Sequence, residues 1–329
     1  MSELHKFLFD GLPVRGAIVR LTDAWVEILR RRASNSVTGA YPVPVQDMLG
    51  EMTAAATLMQ SNIKFDGALV LQIFGDGPVK VAVVEVQSDL TLRATATVAG
   101  DMASDATLSQ MVNASNQGRC AITLDPKTKF PGQQPYQGVV PLFDDHGRPI
   151  EKLSEVLEHY MLQSEQLDTT LVLAANDKVA AGLLIQRLPM AGQGNLSGSM
   201  VSKENEDAIG VNEHYNRIAT LASSLKREEL LNLDVDTILR RLFWEEQLVR
   251  FEPLEGETAP RFVCSCSRER VARMIVGLGR DEVETILTER EDIEVACEFC
   301  GVQYRFDPVD AAELFAEPVQ RVAGGSTPH

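Results

Sequence analysis

The chain is poor in cysteine, with five in 329 residues, and poor in base: 31 Lys and Arg stand against 47 Asp and Glu, a formal net charge of −16. So acidic a surface disfavours partners gripped through a phosphate backbone, which need clustered cations, and no nucleic-acid partner is expected. No run approaches the ~20 consecutive apolar residues that span a bilayer, so no membrane partner is expected either. The opening residues MSELHKFLFD lack a basic start, an apolar run and a small-residue cleavage site. The expected location is therefore the cytoplasm, where thiols stay reduced and clustered cysteines bind metal or react rather than form lasting disulfides. Catalytic motifs are missing too. There is no G-x-S-x-G elbow, and Gly75-Asp76-Gly77 lacks the Gly-Lys and helix start of a phosphate loop and reads as a turn. His146, in Asp144-Asp145-His146-Gly147, also reads as a turn residue. No enzyme is expected.

What is present is ordinary globular composition, 44% hydrophobic and 24% charged, which argues against a disordered or fibrous chain. At ~150 residues per domain it suggests two or three domains. The charge is uneven: residues 1–190 hold 16 basic and 21 acidic residues, and residues 191–329 hold 15 and 26. Most of the acid excess lies in the shorter C-terminal part, which supports a boundary near 190.

Val14–Leu21 reads as a strand, followed by a helix that Thr22 can cap and that carries Trp25, Ile28 and Leu29 on one face. Pro44 suits the start of a second helix, through Met48, Leu49, Met52, Ala55, Ala56 and Met59. Ala68–Phe74 and Val79–Gln87 flank the turn Gly75-Asp76-Gly77-Pro78 as a hairpin. Further strands fit Cys120–Leu124, Gln137–Phe143, Thr170–Ala174 and Val179–Leu188, and a helix fits Pro149–Gln163. Hairpins with few crossovers imply an α+β fold, an antiparallel sheet with helices. Residues 191–200, with three glycines and no charge, read as a linker. Beyond them Asn212–Lys226 is helical, with Tyr215, Ile218, Ala222 and Leu225 on one side. Asp234 can cap a further helix bearing Val235, Ile238, Leu239, Leu242 and Phe243 as an apolar stripe. That stripe is either the core of a small helical domain or a face that docks on the first domain and can be released. The expected organisation is an α+β core domain over 1–190, a helical linker domain over 191–250, a small cysteine-bearing domain over 251–315 and a disordered tail over 316–329.

Four of the five cysteines are grouped. Cys264 and Cys266 form C-x-C, Cys297 and Cys300 form C-x-x-C, and thirty residues separate the pairs. Two close pairs joined by a small loop are how a chain delivers four thiolates to one tetrahedral zinc. Arg268, Arg270 and Arg273 follow the first pair and can offset the site's negative charge. One reading is a static zinc ribbon that only folds its domain. Against it, C-x-C is less usual in structural knuckles, and such close thiols would close a strained ring, the kind of disulfide that is labile and regulatory. The stretch Asp281–Glu294 also holds seven acids and one base. So charged a domain should depend on its metal and melt when an oxidant takes the ligands away. Cys120, in the strand-like Arg119-Cys120-Ala121-Ile122-Thr123, reads as a buried inert thiol.

At these residues the sequence resembles the heat-shock protein 33 family of redox-regulated bacterial chaperones. The C-terminal part shows Cys264-x-Cys266-Ser-Arg-Glu-Arg, Leu278-Gly279, Glu294-x-x-Cys297-Glu-Phe-Cys300 and Tyr304-x-Phe306. The N-terminal part shows Val14-Arg15-Gly16, Tyr41-Pro42-x-Pro44-Val45, Leu49-Gly50-Glu51, Lys64-Phe65-Asp66-Gly67, Gln72-x-x-Gly75-Asp76-Gly77-Pro78 and Tyr136-Gln137-Gly138-x-Val140-Pro141-Leu142. Ser164-Glu165-Gln166 and Gln186-Arg187-Leu188-Pro189 complete a match over nearly the whole chain. The resemblance implies a cytosolic holdase that binds unfolding client proteins without ATP. It implies one Zn2+ on Cys264, Cys266, Cys297 and Cys300 in the reduced, inactive form, so that 251–315 is a zinc-binding redox-switch domain. Oxidation, on the same resemblance, forms Cys264–Cys266 and Cys297–Cys300, releases zinc, melts the redox and linker domains and exposes client-binding surface, with a homodimer as the active form. The stripe Val235, Ile238, Leu239, Leu242 and Phe243 is the candidate switch surface. Arg119 and Cys120 depart from the glycine-rich, aliphatic approach of relatives, and the extra thiol could scramble oxidation products. The competing readings are a static zinc-ribbon scaffold or binding module and a thiol oxidoreductase. The latter is disfavoured because Gly301–Phe306 leads to a strand rather than opening a helix.

Overall fold

The computed structural model describes residues 1–35, 38–128, 132, 134–189 and 211–315. The glycine-rich linker over 191–200 and the tail over 316–329 lie outside the described residues. The chain forms two compact units, residues 1–263 and residues from 264 on.

The first unit runs β1 (Glu3–Phe9), β2 (Val14–Leu21), α1 (Asp23–Ala33), α2 (Val43–Asn62), β3 (Gly67–Phe74), β4 (Val79–Gln87), β5 (Thr91–Val98), α3 (Leu108–Val112), β6 (Arg119–Pro126), β7 (Tyr136–Pro141), α4 (Leu153–Glu165), β8 (Thr169–Ala175) and β9 (Ala180–Arg187). It continues with α5 (Val211–Ser223), α6 (Arg227–Asn232), α7 (Val235–Phe243), β10 (Leu248–Arg250) and β11 (Arg261–Phe262). Two sheets result, in the orders β10-β1-β2-β9-β8 and β11-β5-β4-β3-β6-β7. All pairings are antiparallel except β11 on β5. The class is α+β, as the hairpin pattern implies.

Helix α2 is buried along most of its length, from Val45 to Gln60, because it lies between apolar side chains of both sheets. Leu49, Met52 and Leu58 share one core with Val19, Leu21 and Leu184 of the first sheet and Leu69, Leu71 and Val84 of the second. Pro44 falls in the first turn of α2, where the missing N–H costs nothing. Thr22 sits at the N-cap of α1 but makes no side-chain cap. The hydroxyl of Ser2 does that work, accepting from the backbone N–H of Thr22 at 3.1 Å and of Ala24 at 3.3 Å. The β3–β4 turn holds no phosphate-loop geometry. A Cβ on Gly75 would lie 2.1 Å from the Val79 carbonyl oxygen, and the Asp76 carboxylate accepts from the N–H groups of Ser115 and Gln117 at 2.8 and 3.0 Å.

The helices after the linker make no separate core. Asp234 caps α7 by accepting from Thr237 N at 2.8 Å. Val235, Ile238, Leu239, Leu242 and Phe243 are each at most 3% exposed. They join Tyr215, Ile218, Ala222, Leu230 and the outward face of the first sheet, namely Phe7, Phe9, Val14, Ile18, Leu183 and Ile185, in one cluster. The Phe243 ring meets Phe9 edge-on at 5.0 Å between centroids. Of the two readings of the stripe, packing on the first domain is the one observed. Two arginines add polar ties. Arg20 of β2 donates to the Leu230 and Leu231 carbonyls ending α6, the second at 3.1 Å. Arg227 of α6 pairs with Asp47 at 2.7 Å, lies 3.6 Å from Glu51 and donates to the Ala175 carbonyl. The connector after 250 is not loose: Arg261 and Phe262 pair in parallel with Thr91 and Leu92, and Arg31 stacks over the Phe262 ring at 4.8 Å.

The second unit holds α8 (Arg268–Leu278), α9 (Arg280–Glu289), β12 (Ile293–Ala296), β13 (Gln303–Phe306) and α10 (Pro308–Leu314), with β12 and β13 forming an antiparallel hairpin. Its buried apolar cluster among the described residues is only Ile275, Val283, Ile293, Phe306 and Ala311.

Two tests follow from this packing. Phe243→Ala removes a ring at the centre of the helix–sheet cluster. It should cost ~3–5 kcal/mol, read as a lower urea midpoint and faster amide exchange in α5–α7 than in β3 and β4. The second concerns Glu51, where burial outweighs the attraction of Arg227 and pushes the carboxyl up to about 7. Its ordinary value is ~4.3, so folding takes up a proton between the two values. This contribution to stability is complete below the lower value and is lost as pH rises through about 7. Glu51→Gln should therefore flatten the fall in melting temperature between pH 5 and 8, with the gain over wild type largest at the alkaline end.

Candidate metal centre

The second unit begins with the first cysteine pair. Cys264 and Cys266 precede α8, whose N-cap Ser267 accepts from Arg270 N at 3.3 Å. Cys297 and Cys300 sit in the turn joining β12 to β13. That turn is a tight knuckle: Gly301 N donates to the Cys297 carbonyl at 2.8 Å and Cys297 N to the Val302 carbonyl at 2.9 Å. Gly301 takes φ +72°, a left-handed conformation that suits glycine. The hairpin register Ile293↔Phe306 to Ala296↔Gln303 fixes the knuckle against its own base.

The four sulfurs converge, all within 4.8 Å of one another. Cys264 Sγ lies 3.6 Å from Cys297 Sγ, and Cys266 Sγ lies 3.3 Å from Cys300 Sγ. Four ligands ~2.3 Å from one tetrahedral ion would stand ~3.8 Å apart, so the set has the size of a metal–thiolate centre. Cys300 is buried and the other three are half-buried. Burial pushes the Cys264 and Cys300 thiols up. Burial works against ionising Cys266 as well, but hydrogen bonds from Tyr304 and the neighbouring thiols outweigh it and hold this thiol at about 7. One member is thus readily a thiolate, and the cluster suits a cation that stabilises the remaining charges.

Two of the arginines after the first pair, Arg268 and Arg270, serve the frame around the sulfurs. Arg270 donates to the Ser265 carbonyl at 2.8 Å and its hydroxyl at 2.6 Å, bracing the residue between Cys264 and Cys266. Arg268 pairs with Asp310 at 2.7 Å, donates to the Arg305 carbonyl and stacks on the Phe306 ring at 4.1 Å. It ties α8 to the hairpin and to α10. Tyr304 has a contact that spacing does not reveal: its hydroxyl lies 3.1 Å from Cys266 Sγ. The sequence marks the residue through the Tyr304-x-Phe306 motif and its inward alternation, but not its contact with Cys266.

Cys120 stands apart in β6 of the first unit, opposite Ile73 and Val140. It is fully buried, and burial pushes its thiol up to about 12. A thiol so placed is a poor nucleophile, which argues against a share in oxidation chemistry.

An α+β protein with a small unit built round four converging thiols is a thiolate-centre protein of two units, and the comparisons give it a family. The model of the Hsp33 protein family matches residues 2–307. The 33 kDa chaperonin of Chromobacterium violaceum is 43% identical over 314 residues, covering 95% of this chain and 94% of its own. That of Methylobacillus flagellatus is 39% identical over 319 residues, covering 97% and 96%. The crystal structure of a 33 kDa chaperonin (heat shock protein 33 homolog) from Thermotoga maritima shares the fold at TM-score 0.69 and 21% identity, over 95% of this chain and 97% of that one. The chain belongs to the Hsp33 family. No helix among the described residues is long and apolar enough to cross a membrane.

Alkylation of the native protein should leave Cys120 unmodified while the clustered thiols of metal-stripped protein react. Mass spectrometry of the peptide around Cys120 before and after urea unfolding checks this.

Proposed function

We propose that this protein is a redox-regulated, ATP-independent holdase that keeps unfolding cytoplasmic proteins soluble under oxidative stress. The observation that carries the reading is the convergence of four thiols within 4.8 Å inside a unit with so small an apolar cluster. Cys264, Cys266, Cys297 and Cys300 would hold Zn2+, an ion whose preference for four thiolates in a tetrahedron suits this donor set. When bound, zinc screens the thiolate charges and contributes folding energy, ~10–16 kcal/mol in zinc-finger peptides.

The redox chemistry belongs to the cysteines. In each close pair, Cys264 with Cys266 and Cys297 with Cys300, the two thiols lose two electrons and two protons to one hydrogen peroxide. A sulfur–sulfur bond forms, the peroxide O–O bond breaks and two waters result. This pairing is carried from the family. Sulfurs joined in this way no longer donate to a metal, and the weak core around Ile275 and Phe306 is left to hold the unit alone. Unfolding then spreads to α5–α7, which are held on the first sheet by the stripe Val235, Ile238, Leu239, Leu242 and Phe243 and by Arg20 and Arg227. Once uncovered, the stripe and the sheet face beneath it offer apolar surface to exposed segments of clients, without direction or sequence preference. The net charge of −16 helps keep such complexes soluble. The active form is a homodimer.

Two readings on one sample test this. Treated with peroxide under mild heating, the reduced, zinc-loaded protein should release one zinc per chain. The oxidised product, and not the reduced protein, should suppress light scattering by a thermally unfolding client. Retention of zinc would leave a static scaffold; release of zinc without suppression would remove the chaperone activity. Cys264→Ser and Cys300→Ser should each abolish the regulated response.

A further inference from the structure

We infer that Tyr304 is a positioning residue of the thiolate centre: its hydroxyl donates to Cys266 Sγ and thereby sets how firmly that sulfur holds metal and how slowly it is oxidised. The inference rests on the metal-centre reading of the four cysteines. Tyr304 lies on β13 opposite Val295 of β12, so the hairpin that presents Cys297 and Cys300 also delivers this hydroxyl to a sulfur of the other pair. Its ring packs against the small core with Val295 and Leu314, which fixes the approach, and the oxygen–sulfur distance is 3.1 Å. Of the groups on the two side chains, only the phenol O–H can be the donor once Cys266 is a thiolate.

A hydrogen bond from a neutral donor to an anionic ligand is charge-assisted and stronger than one between neutral groups. It draws electron density from the sulfur lone pairs. The sulfur becomes a poorer nucleophile toward peroxide, and the ligand is held in one orientation toward the ion. Outer-shell donors of this kind change metal affinity ~10–100-fold when removed. Arg268 reinforces the arrangement by stacking on Phe306, two residues along the same strand, and by donating to the intervening Arg305 carbonyl.

Tyr304→Phe removes the hydroxyl and keeps the ring. In the full-length chain three measurements follow. Zinc affinity, by competition with a chromogenic chelator, should fall at least ~10-fold. Zinc release under a fixed peroxide excess should be several-fold faster. In the cobalt-loaded protein the thiolate-to-cobalt charge-transfer band should move to longer wavelength, since a sulfur without the hydrogen bond holds its electrons less tightly. The band arises from all four thiolates, and Tyr304→Phe takes a hydrogen bond from the Cys266 sulfur, so a shift in this variant reports the loss at that sulfur. Leu314→Ala, which thins the same core without touching a sulfur, should leave the band in place. Wild-type affinity, release rate and band position in Tyr304→Phe would overturn the inference while leaving the centre intact. Failure of the wild-type chain to bind zinc or cobalt through its thiols would instead overturn the metal-centre reading.

Discussion

Among the described residues only five buried apolar side chains form the core of the second unit, with partly buried ones packed around them, and a cluster of that size does little to hold some fifty residues in one conformation. What the unit has instead is a point where four sulfurs come within 4.8 Å of one another. The two halves of the unit, α8 on one side and the β12–β13 hairpin on the other, each bring two of them. A cation bound at that point would join the halves and stabilise the charge of thiolates that burial disfavours. On the reading proposed above, the fold of the unit and the ionic state of its cysteines would form one equilibrium. Most of its other devices align those halves: the left-handed Gly301, the Arg268 stack on Phe306, the Arg270 brace on Ser265 and the Tyr304 hydroxyl.

The first unit has the opposite character. Its inner core, with α2 between two sheets, is large and continuous. Its first sheet is apolar on both faces, however, and the outer face is covered by α5, α6 and α7. These helices hold to the sheet through a stripe of large side chains and a few arginine contacts. One of those contacts engages Glu51, a carboxylate that burial already penalises. A cover of this kind is separable in a way that α2 is not, because removing it exposes one sheet face and leaves the two-sheet core closed. Stability is unequally distributed along such a chain, and the elements that move come from its weaker end.

Much of this is legible in the residues. The strand Val14–Leu21, the hairpin about Gly75–Pro78 and the Asp234 cap depend on neighbours within a few positions, and each lies where its pattern places it. Other elements are not announced. Strand β5 buries Leu92, Ala94 and Ala96, too small an apolar signal among Arg and Thr to declare itself, and gains its place by pairing with β4. Strand β11 is two residues long and exists only because β5 offers it an edge. The cap of α1 comes from Ser2, twenty residues before Thr22, which no local pattern could supply. At the candidate metal centre the four cysteines declare themselves through spacing, whereas the contact of Tyr304 does not, since its partner sulfur is 38 residues away.

The sequence by itself determined the class of the fold, the separation of Cys120 from the four grouped cysteines, the family, and the amphipathic character of the helix carrying Val235 to Phe243. All of these are carried by short-range periodicity, by spacing or by ordered motifs. Tertiary structure alone decided what that helix rests on, which arginines tie it down, and that Tyr304 reaches Cys266. Those outcomes turn on which strand edge and which sheet face remain free once the long-range pairings of β2 with β9 and β1 with β10 have formed, and on where a hairpin sets down its side chains. Pairings between residues far apart in the chain are settled by the packing of the whole, so no local stretch of residues can encode them.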